Sequence, residues 1–364
     1  MQVEFSYPDL PVSKARGLIK NAISTHQVSI LSGQTGSGKT TQLPKMLLEL
    51  GAEGKGQIIH TQPRRVAARE TAARVAKEIG VELGEEVGYQ VRFEEKLSPK
   101  TKLKVVTDGI LLSEIRKDPL LSRYGAVVID EAHERSLNID FLLGFMAKIL
   151  KKRPDLKLVV TSATIDSEKF QSFFEKALGQ KVPVINVEGK TYPVEILYEP
   201  YGSQEALCET GAFKSLDLDL SRQVARAVLE EIEFDPFGDI LVFASGQREI
   251  QEFSDAIEGT LPAKYRDQIE ILPLFARLGS SDQRRIFAPH AKRRVVIATN
   301  IAETSLTIPG IKYCVDPGTA RVSRYSRSSH IQRLPGRGNL PGQMRPEGGK
   351  VRQGERRNSD KALL

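Results

Sequence analysis

Short apolar runs rich in β-branched residues alternate with amphipathic stretches along most of this chain. In the first half the runs predict five strands, at 28–31, 57–61, 103–107, 126–130 and 157–161. Between them, apolar positions spaced three and four apart predict helices, as at 41–50 and 67–79. Strands that alternate with helices in this way are typical of a parallel α/β sheet.

The same alternation returns after residue 235. There it predicts four further strands, at 240–243, 271–274, 295–298 and 313–315. Two extended segments (182–187 and 194–198) and a helix (221–232) lie between the two sets. A chain of 364 residues is long enough for two hydrophobic cores. We therefore predict two tandem α/β domains, at 1–197 and 198–335.

The last 29 residues, 336–364, differ from the rest in composition. They are rich in Gly, Arg, Gln and Pro, and their few apolar residues show no period. This composition predicts an unstructured basic tail. The tail holds seven Lys or Arg and three acids, so it carries +4 of the net charge of +7. Charge alone therefore gives little evidence for a nucleic-acid surface on the folded part.

Other features of the composition limit the class of protein. No segment approaches eighteen consecutive apolar residues, and the first residues lack the pattern of a secretory signal. The two cysteines, Cys208 and Cys314, are too few for a disulfide framework or a zinc site. These features predict a cytoplasmic protein without a membrane partner.

A glycine-rich loop follows the first strand and leads into a helix. The motif Gly-x-x-x-x-Gly-Lys-Thr in this position cradles phosphates with backbone N–H groups. Lys39 would place a cation at the β/γ end of a triphosphate, and Thr40 would be a ligand of Mg²⁺. The residues predicted to bind the nucleotide are Gly33, Thr35, Gly36, Ser37, Gly38, Lys39, Thr40 and Thr41.

Asp-Glu-Ala-His stands at 130–133, where the fourth predicted strand ends. Asp130 lies where a Mg²⁺-anchoring carboxylate belongs, and Glu131 can orient the attacking water. His133 is a candidate link between the nucleotide and the second domain. Ser162 and Thr164 follow the next strand; they cap a helix or form a hydroxyl relay to His133. With Lys39, these residues predict hydrolysis of a nucleoside triphosphate.

Further segments belong to a family pattern. They are Thr61-Gln62-Pro63-Arg64-Arg65-Val66-Ala67-Ala68-Arg69, Gly88-Tyr89-Gln90-Val91-Arg92-Phe93, Thr107-Asp108-Gly109, and the segments 189–194, 299–308 and 315–318. With the two motifs above, the chain resembles the DEAH-box ATP-dependent RNA helicases, closest to the bacterial HrpA-type branch. The resemblance runs from about residue 10 to Pro335. It implies two RecA-like P-loop NTPase domains with ATP or another NTP and Mg²⁺ in their cleft. Single-stranded RNA would lie across both domains of a monomer.

The resemblance also implies roles for single residues. Contacts to the RNA backbone would come from Arg64, Arg65, Thr107, Asp108, Thr299 and Asn300. Arg74 and Phe287 would sandwich the nucleobase, an arrangement that tolerates any base. Hydrolysis would be coupled to RNA through Ser162, Thr164, Thr299 and Thr304.

The chain departs from the family after Pro335. Family members carry a motif near Gln-Arg-x-Gly-Arg-x-Gly-Arg, whose arginines neutralise charge at the γ-phosphate. Arginine fingers of this kind accelerate hydrolysis by about 10³–10⁵. The motif is absent here, yet codons permitted for the tail, read one base later, can encode Gln-Arg-Glu-Gly-Arg-Cys-Gly-Arg. We hypothesise a one-base frameshift near codon 336 that truncates a longer helicase and leaves the second domain incomplete.

Two other functions remain open. The chain could be a catalytically inactive fragment that binds nucleotide or RNA. It could also be a DNA helicase or translocase of the same superfamily. The segments 61–69 and 299–308 argue against DNA, but backbone contacts alone do not distinguish the two nucleic acids, since the 2′-OH does that.

Overall fold

The fold comes from a computed structural model. It describes residues 5–34, 36–52, 56–162, 167–188, 194–198, 220–275, 278–299, 308–321, 324–326, 331–333, 336–338 and 349–353. Internal contacts divide the chain into two compact units, Met1–Lys190 and Thr191–Leu364. These are called the first and second units below, and each is described by itself.

The first unit is built on one sheet. Its eight described strands are β1 (Val28–Gly33), β2 (Gln57–Gln62), β3 (Val87–Val91), β4 (Glu94–Lys96), β5 (Leu103–Thr107), β6 (Tyr124–Ile129), β7 (Lys157–Ser162) and β8 (Val184–Val187). They lie in the order β4-β3-β5-β2-β6-β7-β1-β8, and each neighbouring pair is parallel except β3–β4. The carboxyl ends of β1, β2, β5, β6 and β7 therefore meet at one edge, called the carboxyl edge below.

Helices cover both faces of this sheet. The described ones are α1 (Pro11–Lys14), α2 (Arg16–Thr25), α3 (Lys39–Glu49), α4 (Arg65–Ile79), α5 (Asp108–Lys117), α6 (Leu137–Lys152) and α7 (Ser167–Leu178), with a short 3-10 helix at Ala132–Glu134. One core packs α2, α3 and α4 against one sheet face, and a second packs α5, α6 and α7 against the other. Because both faces are covered, β1 and β6 are buried along their whole length.

The second unit holds a smaller sheet. Its described strands are β9 (Val194–Tyr198), β10 (Asp239–Phe243), β11 (Ile269–Leu274), β12 (Arg293–Ala298), β13 (Ile311–Asp316), β14 (Thr319–Arg321), β15 (Arg324–Ser326), β16 (Ile331–Arg333), β17 (Gly336–Gly338) and β18 (Gly349–Gln353). Six of them form a sheet in the order β11-β12-β10-β13-β18-β9, and two separate pairs are β14–β17 and β15–β16. Strands β10 to β13 are parallel, whereas β18 runs antiparallel to both of its neighbours.

Four described helices belong to the second unit: α8 (Leu220–Phe234), α9 (Gln247–Thr260), α10 (Ala263–Arg266) and α11 (Ser280–Phe287). The helices α8 and α9 pack against the sheet to form its core. Arg294 is buried at the amino end of this sheet and donates to Asp239 from Nε at 3.0 Å and from Nη2 at 2.9 Å. This ion pair joins β12 to β10.

The predicted fold class is confirmed: both units are α/β, and parallel strands predominate. Each of the nine strands predicted from apolar runs is present, with ends within two residues of the prediction. The β3–β4 hairpin was not predicted as strands. In the part of the chain that the structure describes, no helix is long and apolar enough to span a bilayer.

Two details of the predicted domain plan need correction. The division after Lys190 falls before the predicted boundary at 197/198, because β9 pairs with β18 in the second sheet. The segment 336–364 was predicted to be unstructured, but it contributes β17 and β18. Strands pair through backbone N–H and C=O groups, so pairing does not require a periodic pattern of apolar residues in the sequence. In β18, the central residue Val351 lies opposite Cys314 of β13 and Ile196 of β9.

Candidate active site

The glycine-rich loop joins β1 to α3 at the carboxyl edge. Gly38 has a φ of 92°, a left-handed conformation that disfavours side chains, and an added Cβ would meet Leu10 Cδ1 at 2.8 Å. A Cβ on Gly33 would come within 2.7 Å of the Val187 carbonyl oxygen. Both glycines are therefore required by the close packing of the loop. Of the predicted loop residues, Thr35 lies outside the described residues.

The ammonium group of Lys39 is held inside this loop. It donates to the carbonyl oxygens of Gly33 at 2.5 Å and Gln34 at 2.9 Å, and its side chain is buried. Burial lowers the pKa of Lys39, while the nearby charges of Asp130 and Glu131 act to raise it. The loop cation and both acids of the 130–133 motif therefore lie close enough to interact, as the sequence predicted.

Asp130 follows β6 and is completely buried. Its Oδ2 accepts from Gln62 Nε2 at 2.6 Å and contacts His60 Nε2 at 3.1 Å. Its Oδ1 accepts from the Glu131 backbone N–H at 3.0 Å and from the Thr161 hydroxyl. Burial by itself raises the pKa of Asp130, but the hydrogen bonds and the charge of His60 outweigh burial and hold it well below its usual range. Asp130 is therefore an ionised carboxylate.

Thr40 and Asp130 together fit a hard cation. A hydrogen bond from the Thr40 side chain contributes to the low pKa of Asp130, so the two side chains are adjacent. A hydroxyl and an ionised carboxylate are oxygen ligands of the kind that Mg²⁺ prefers. Within the described residues no group of three acidic, His or Cys side chains could hold a metal alone. This donor set fits Mg²⁺ that takes its other ligands from phosphate and water.

Glu131 is held in an unusual conformation beside Asp130. Its φ is 53° and ψ is 37°, a left-handed conformation that is uncommon for residues other than glycine, and its side chain is buried. Burial, with the charge of Asp130, raises the pKa of Glu131 to about 8, while Lys39 lowers it. His133 Nε2 lies 3.3 Å from Glu131 Oε2. Such strained and perturbed residues cluster at functional sites.

Of the residues predicted to contact RNA, Arg64, Arg65 and Thr107 lie at the carboxyl edge of the first unit. Arg64 precedes α4, with Nη2 4.0 Å from Glu134 Oε1, and Arg65 is exposed at the start of α4. Thr107 ends β5 and is partly exposed. Asp108 needs correction, because its carboxylate is buried and cannot face an RNA backbone. Burial raises the pKa of Asp108 to about 6.

The residues predicted for base stacking and coupling are placed only in part. Arg74 is exposed on α4 and donates to Glu78 Oε1 at 2.6 Å, whereas Phe287 is partly buried at the end of α11 in the second unit. Ser162 is buried at the end of β7. Thr299 follows β12, and its backbone N–H donates to the Leu274 carbonyl at 3.1 Å. Three further predicted residues lie outside the described part, namely Thr164, Asn300 and Thr304.

The sequence analysis missed the residues that surround Asp130. His60, Gln62 and Thr161 all contact its carboxylate. A signal was present in the sequence, because His60 and Gln62 are polar residues at alternate positions at the end of the second predicted strand. Alternate positions of a strand point to one face, which would have directed both side chains to the neighbouring strand end.

Two protein-family models match the chain. The DEAD/DEAH box helicase model matches residues 15–173, and the helicase conserved C-terminal domain model matches residues 223–337. The first match contains the loop and the 130–133 motif. The second match falls within the second unit.

Curated relatives extend the same result. The chain is 51% identical over 336 residues to the ATP-dependent RNA helicase HrpA of Escherichia coli (strain K12), which covers 91% of this chain and 24% of that protein. It is 45% identical over 324 residues to the pre-mRNA-splicing factor ATP-dependent RNA helicase prp22 of Schizosaccharomyces pombe, covering 86% and 26%. The chain thus spans about a quarter of the length of these relatives.

Solved structures agree on the fold. The Escherichia coli DEAH/RHA helicase HrpB matches with a TM-score of 0.76 and 36% sequence identity, over 91% of this chain and 40% of that chain. The predicted pair of RecA-like helicase domains is therefore confirmed. The order of loop, Asp-Glu-Ala-His motif and second α/β unit agrees with the two family models. This chain belongs to the DEAD/DEAH box helicase family.

Proposed function

We propose that this chain is an ATP-dependent RNA helicase of the DEAH type whose first unit binds Mg²⁺·ATP at its carboxyl edge. The observation that carries the proposal is the convergence of Lys39, Thr40, Asp130 and Glu131, which come from two separate motifs. The relatives named as ATP-dependent RNA helicases support the same activity.

The loop would bind the phosphates of the nucleotide. Backbone N–H groups at the start of α3 would face the phosphates, where the helix dipole adds a favourable partial charge. Lys39 would exchange its bonds to the loop carbonyls for phosphate oxygens. Mg²⁺ held by Thr40 and Asp130 would neutralise charge on the β- and γ-phosphates.

Glu131 is the candidate base for hydrolysis. In the reaction, water attacks the γ-phosphorus, the bond to the β-phosphate oxygen breaks, and the water's proton leaves with a base. Glu131 must be ionised to accept that proton. Burial and Asp130 raise its pKa to about 8, and the positive charge of Lys39 lowers it. Lys39 therefore favours the ionised form of Glu131, which is the form that accepts the proton.

RNA would bind along the same edge. Arg64 and Arg65 follow β2 and Thr107 ends β5, at the same sheet edge as the loop after β1 and Asp130 after β6. Guanidinium groups and hydroxyls suit phosphate oxygens, so these contacts would be independent of base identity. Thr299 and Asn300 would add contacts from the second unit. Nucleotide-dependent changes would reach these residues through His133, Ser162, Thr164 and Thr304.

The missing arginine motif supports a second candidate, a nucleotide- and RNA-binding protein without strong hydrolysis. The sequence after Pro335 contains no Gln-Arg-x-Gly-Arg-x-Gly-Arg. Loss of arginine fingers removes charge neutralisation in the transition state while leaving the phosphate loop intact. We therefore propose that this chain binds Mg²⁺·ATP, hydrolyses it weakly and does not unwind RNA processively.

The test combines nucleotide binding with turnover on the full chain. We expect a fluorescent ATP analogue to bind in Mg²⁺, and Lys39→Ala to abolish that binding. Glu131→Gln should bind as tightly as the parent and lose the residual phosphate release. Poly(U) RNA should bind the parent chain but produce little stimulation of phosphate release. Strong RNA-stimulated turnover would contradict the second candidate, and a parent that binds no nucleotide would contradict the proposal as a whole.

A further inference from the structure

Two polar side chains at the carboxyl end of β2 hold the carboxylate of Asp130. β2 and β6 are parallel, with Thr61 opposite Ile129, so the next residue of each strand brings Gln62 beside Asp130. His60 lies on the same face of β2 as Gln62, because side chains two residues apart point the same way. His60 Nε2 lies 3.1 Å from Asp130 Oδ2, and Gln62 Nε2 lies 2.6 Å from the same oxygen.

The direction of these hydrogen bonds follows from the chemistry of the acceptor. An ionised carboxylate only accepts hydrogen bonds, so the Gln62 amide donates to Oδ2, and His60 Nε2 donates to it in the tautomer that carries its proton on Nε2. His60 Nε2 also lies 3.1 Å from Gln62 Nε2, so the two side chains contact each other as well as the carboxylate. The other ring nitrogen of His60 is Nδ1. That atom is buried and has no hydrogen-bond partner among the described residues.

An unsatisfied buried nitrogen reduces the stability of the fold. A leucine or valine at position 60 would fill the same buried strand without that cost, as Ile58 and Ile59 do beside it. The histidine therefore contributes something other than packing. The only hydrogen bond that its ring makes to a described acidic side chain is the one to Asp130.

Orientation of the Asp130 carboxylate is what these donors control. Oδ1 is fixed by the Glu131 N–H and the Thr161 hydroxyl, and Oδ2 by the two donors of β2. Together with the Thr40 side chain, which also hydrogen-bonds to Asp130, these donors prevent rotation of the carboxylate about its Cβ–Cγ bond. Groups that orient a metal-anchoring side chain in this way typically change metal affinity by 10–100-fold when removed.

We propose that His60 and Gln62 are positioning residues that hold Asp130 in the orientation that binds Mg²⁺ with the nucleotide. The inference rests on the proposed function, because it requires Mg²⁺ at Asp130. Neither side chain touches the phosphate loop in the described contacts, so nucleotide binding without Mg²⁺ should not depend on them. His60 and Gln62 should therefore affect only the increase in nucleotide affinity that Mg²⁺ provides.

The experiment measures this increase in nucleotide affinity directly. The dissociation constant of a fluorescent ADP analogue is measured for the full chain in Mg²⁺ and in EDTA, and the ratio of the two is compared between variants. Gln62→Met and His60→Leu keep size and remove the donor. We expect each to lower the ratio about tenfold and to leave the dissociation constant in EDTA unchanged.

Two further variants separate positioning from a structural role. His60→Gln keeps an N–H donor near the Nε2 position and should restore most of the ratio. Gln57→Met removes a side-chain hydrogen bond at the other end of β2, from Nε2 to the Thr101 carbonyl at 2.7 Å, and should leave the ratio as in the parent.

The outcomes that overturn the proposal are distinct. An unchanged ratio in Gln62→Met and His60→Leu overturns it, as does an equal weakening in Mg²⁺ and in EDTA, which marks a general loss of structure. A reduced ratio in Gln57→Met overturns it too, because any damage to β2 would then suffice. A parent chain that binds equally with and without Mg²⁺ would instead remove the proposed function and, with it, this inference.

Discussion

Each unit of this protein buries an aspartate next to a parallel sheet, and the two are held differently. In the first unit Asp130 is surrounded by His60, Gln62, Thr161 and a backbone N–H. In the second unit Asp239 is bound by the guanidinium of Arg294 through two nitrogens. Both carboxylates are almost inaccessible to solvent. The difference lies in the charge of their partners.

The comparison separates a structural carboxylate from one that is available to a cation. Arg294 neutralises Asp239, whose Oδ2 also lies 3.1 Å from His290 Nε2, and donates to the carbonyl of Pro309 at 3.0 Å, so that cluster joins separate segments of the second unit. Asp130 accepts hydrogen bonds from three uncharged donors, Gln62, Thr161 and the Glu131 backbone N–H, which keep it ionised without neutralising it. A buried anion stabilised in this way attracts a cation, which fits a metal-binding role.

The largest effect expected from this comparison is on the ion pair of the second unit. Arg294→Met leaves Asp239 buried without its cation, and breaking one side of such a pair costs about 3–5 kcal/mol of unfolding free energy. Hydrogen–deuterium exchange should show loss of protection in β10 and β12 and unchanged protection in β6 and β7. Protection lost equally in both units would contradict the assignment of this pair to the second unit alone.

A smaller loss of unfolding free energy is expected from removing one of the hydrogen-bond donors around Asp130. Thr161→Val keeps the shape of the side chain and removes a hydrogen bond to a charged group, a loss of about 1.5–3 kcal/mol. Urea unfolding of the first unit measures it. If Thr161→Val lowered the unfolding free energy as much as Arg294→Met, the inference that several donors share the stabilisation of Asp130 would be wrong.

Glu131, which lies beside Asp130, should make the stability of the first unit depend on pH. Its pKa is raised from 4.5 to about 8. Between those values the unfolded chain loses this proton and the folded chain retains it, so stability falls as pH rises through that window. Glu131→Gln removes the effect and should raise the unfolding free energy near pH 8.5 above that of the parent. The gain should vanish near pH 4.5, and thermal unfolding of the nucleotide-free chain checks it. An equal gain at both values would contradict the raised pKa.

The smallest effect is expected at Arg74. Its ion pair with Glu78 is an exposed contact between successive turns of α4, so Arg74→Ala should change stability by about 0.5 kcal/mol or less. If Arg74 stacks on the nucleobase, the variant should still bind ATP several-fold more weakly while binding of inorganic triphosphate stays unchanged. Equal weakening for both ligands would contradict the stacking role.

Much of the fold could be predicted because apolar runs and loops report local structure. The loop at 33–40 and the acids at 130 and 131 were found from sequence, since strand ends and motif spacing fix where they lie. The partners of Asp130 were not found, because pairing of β2 with β6 depends on strand order rather than on local pattern. The strand β18 was missed for a similar reason: backbone pairing with β9 and β13 leaves no apolar period in the sequence.

The most direct test of the account is calorimetric titration of ATP into the full chain, in Mg²⁺ and in EDTA, beside the variant Asp130→Asn. The account predicts that the parent binds more tightly with Mg²⁺ and that Asp130→Asn binds the same in both buffers. The structural pair supplies the control, since Arg294→Lys keeps a cation beside Asp239 in the second unit and should leave the effect of Mg²⁺ intact. An Asp130→Asn variant that keeps the full effect of Mg²⁺ would contradict the central claim that this carboxylate anchors the metal.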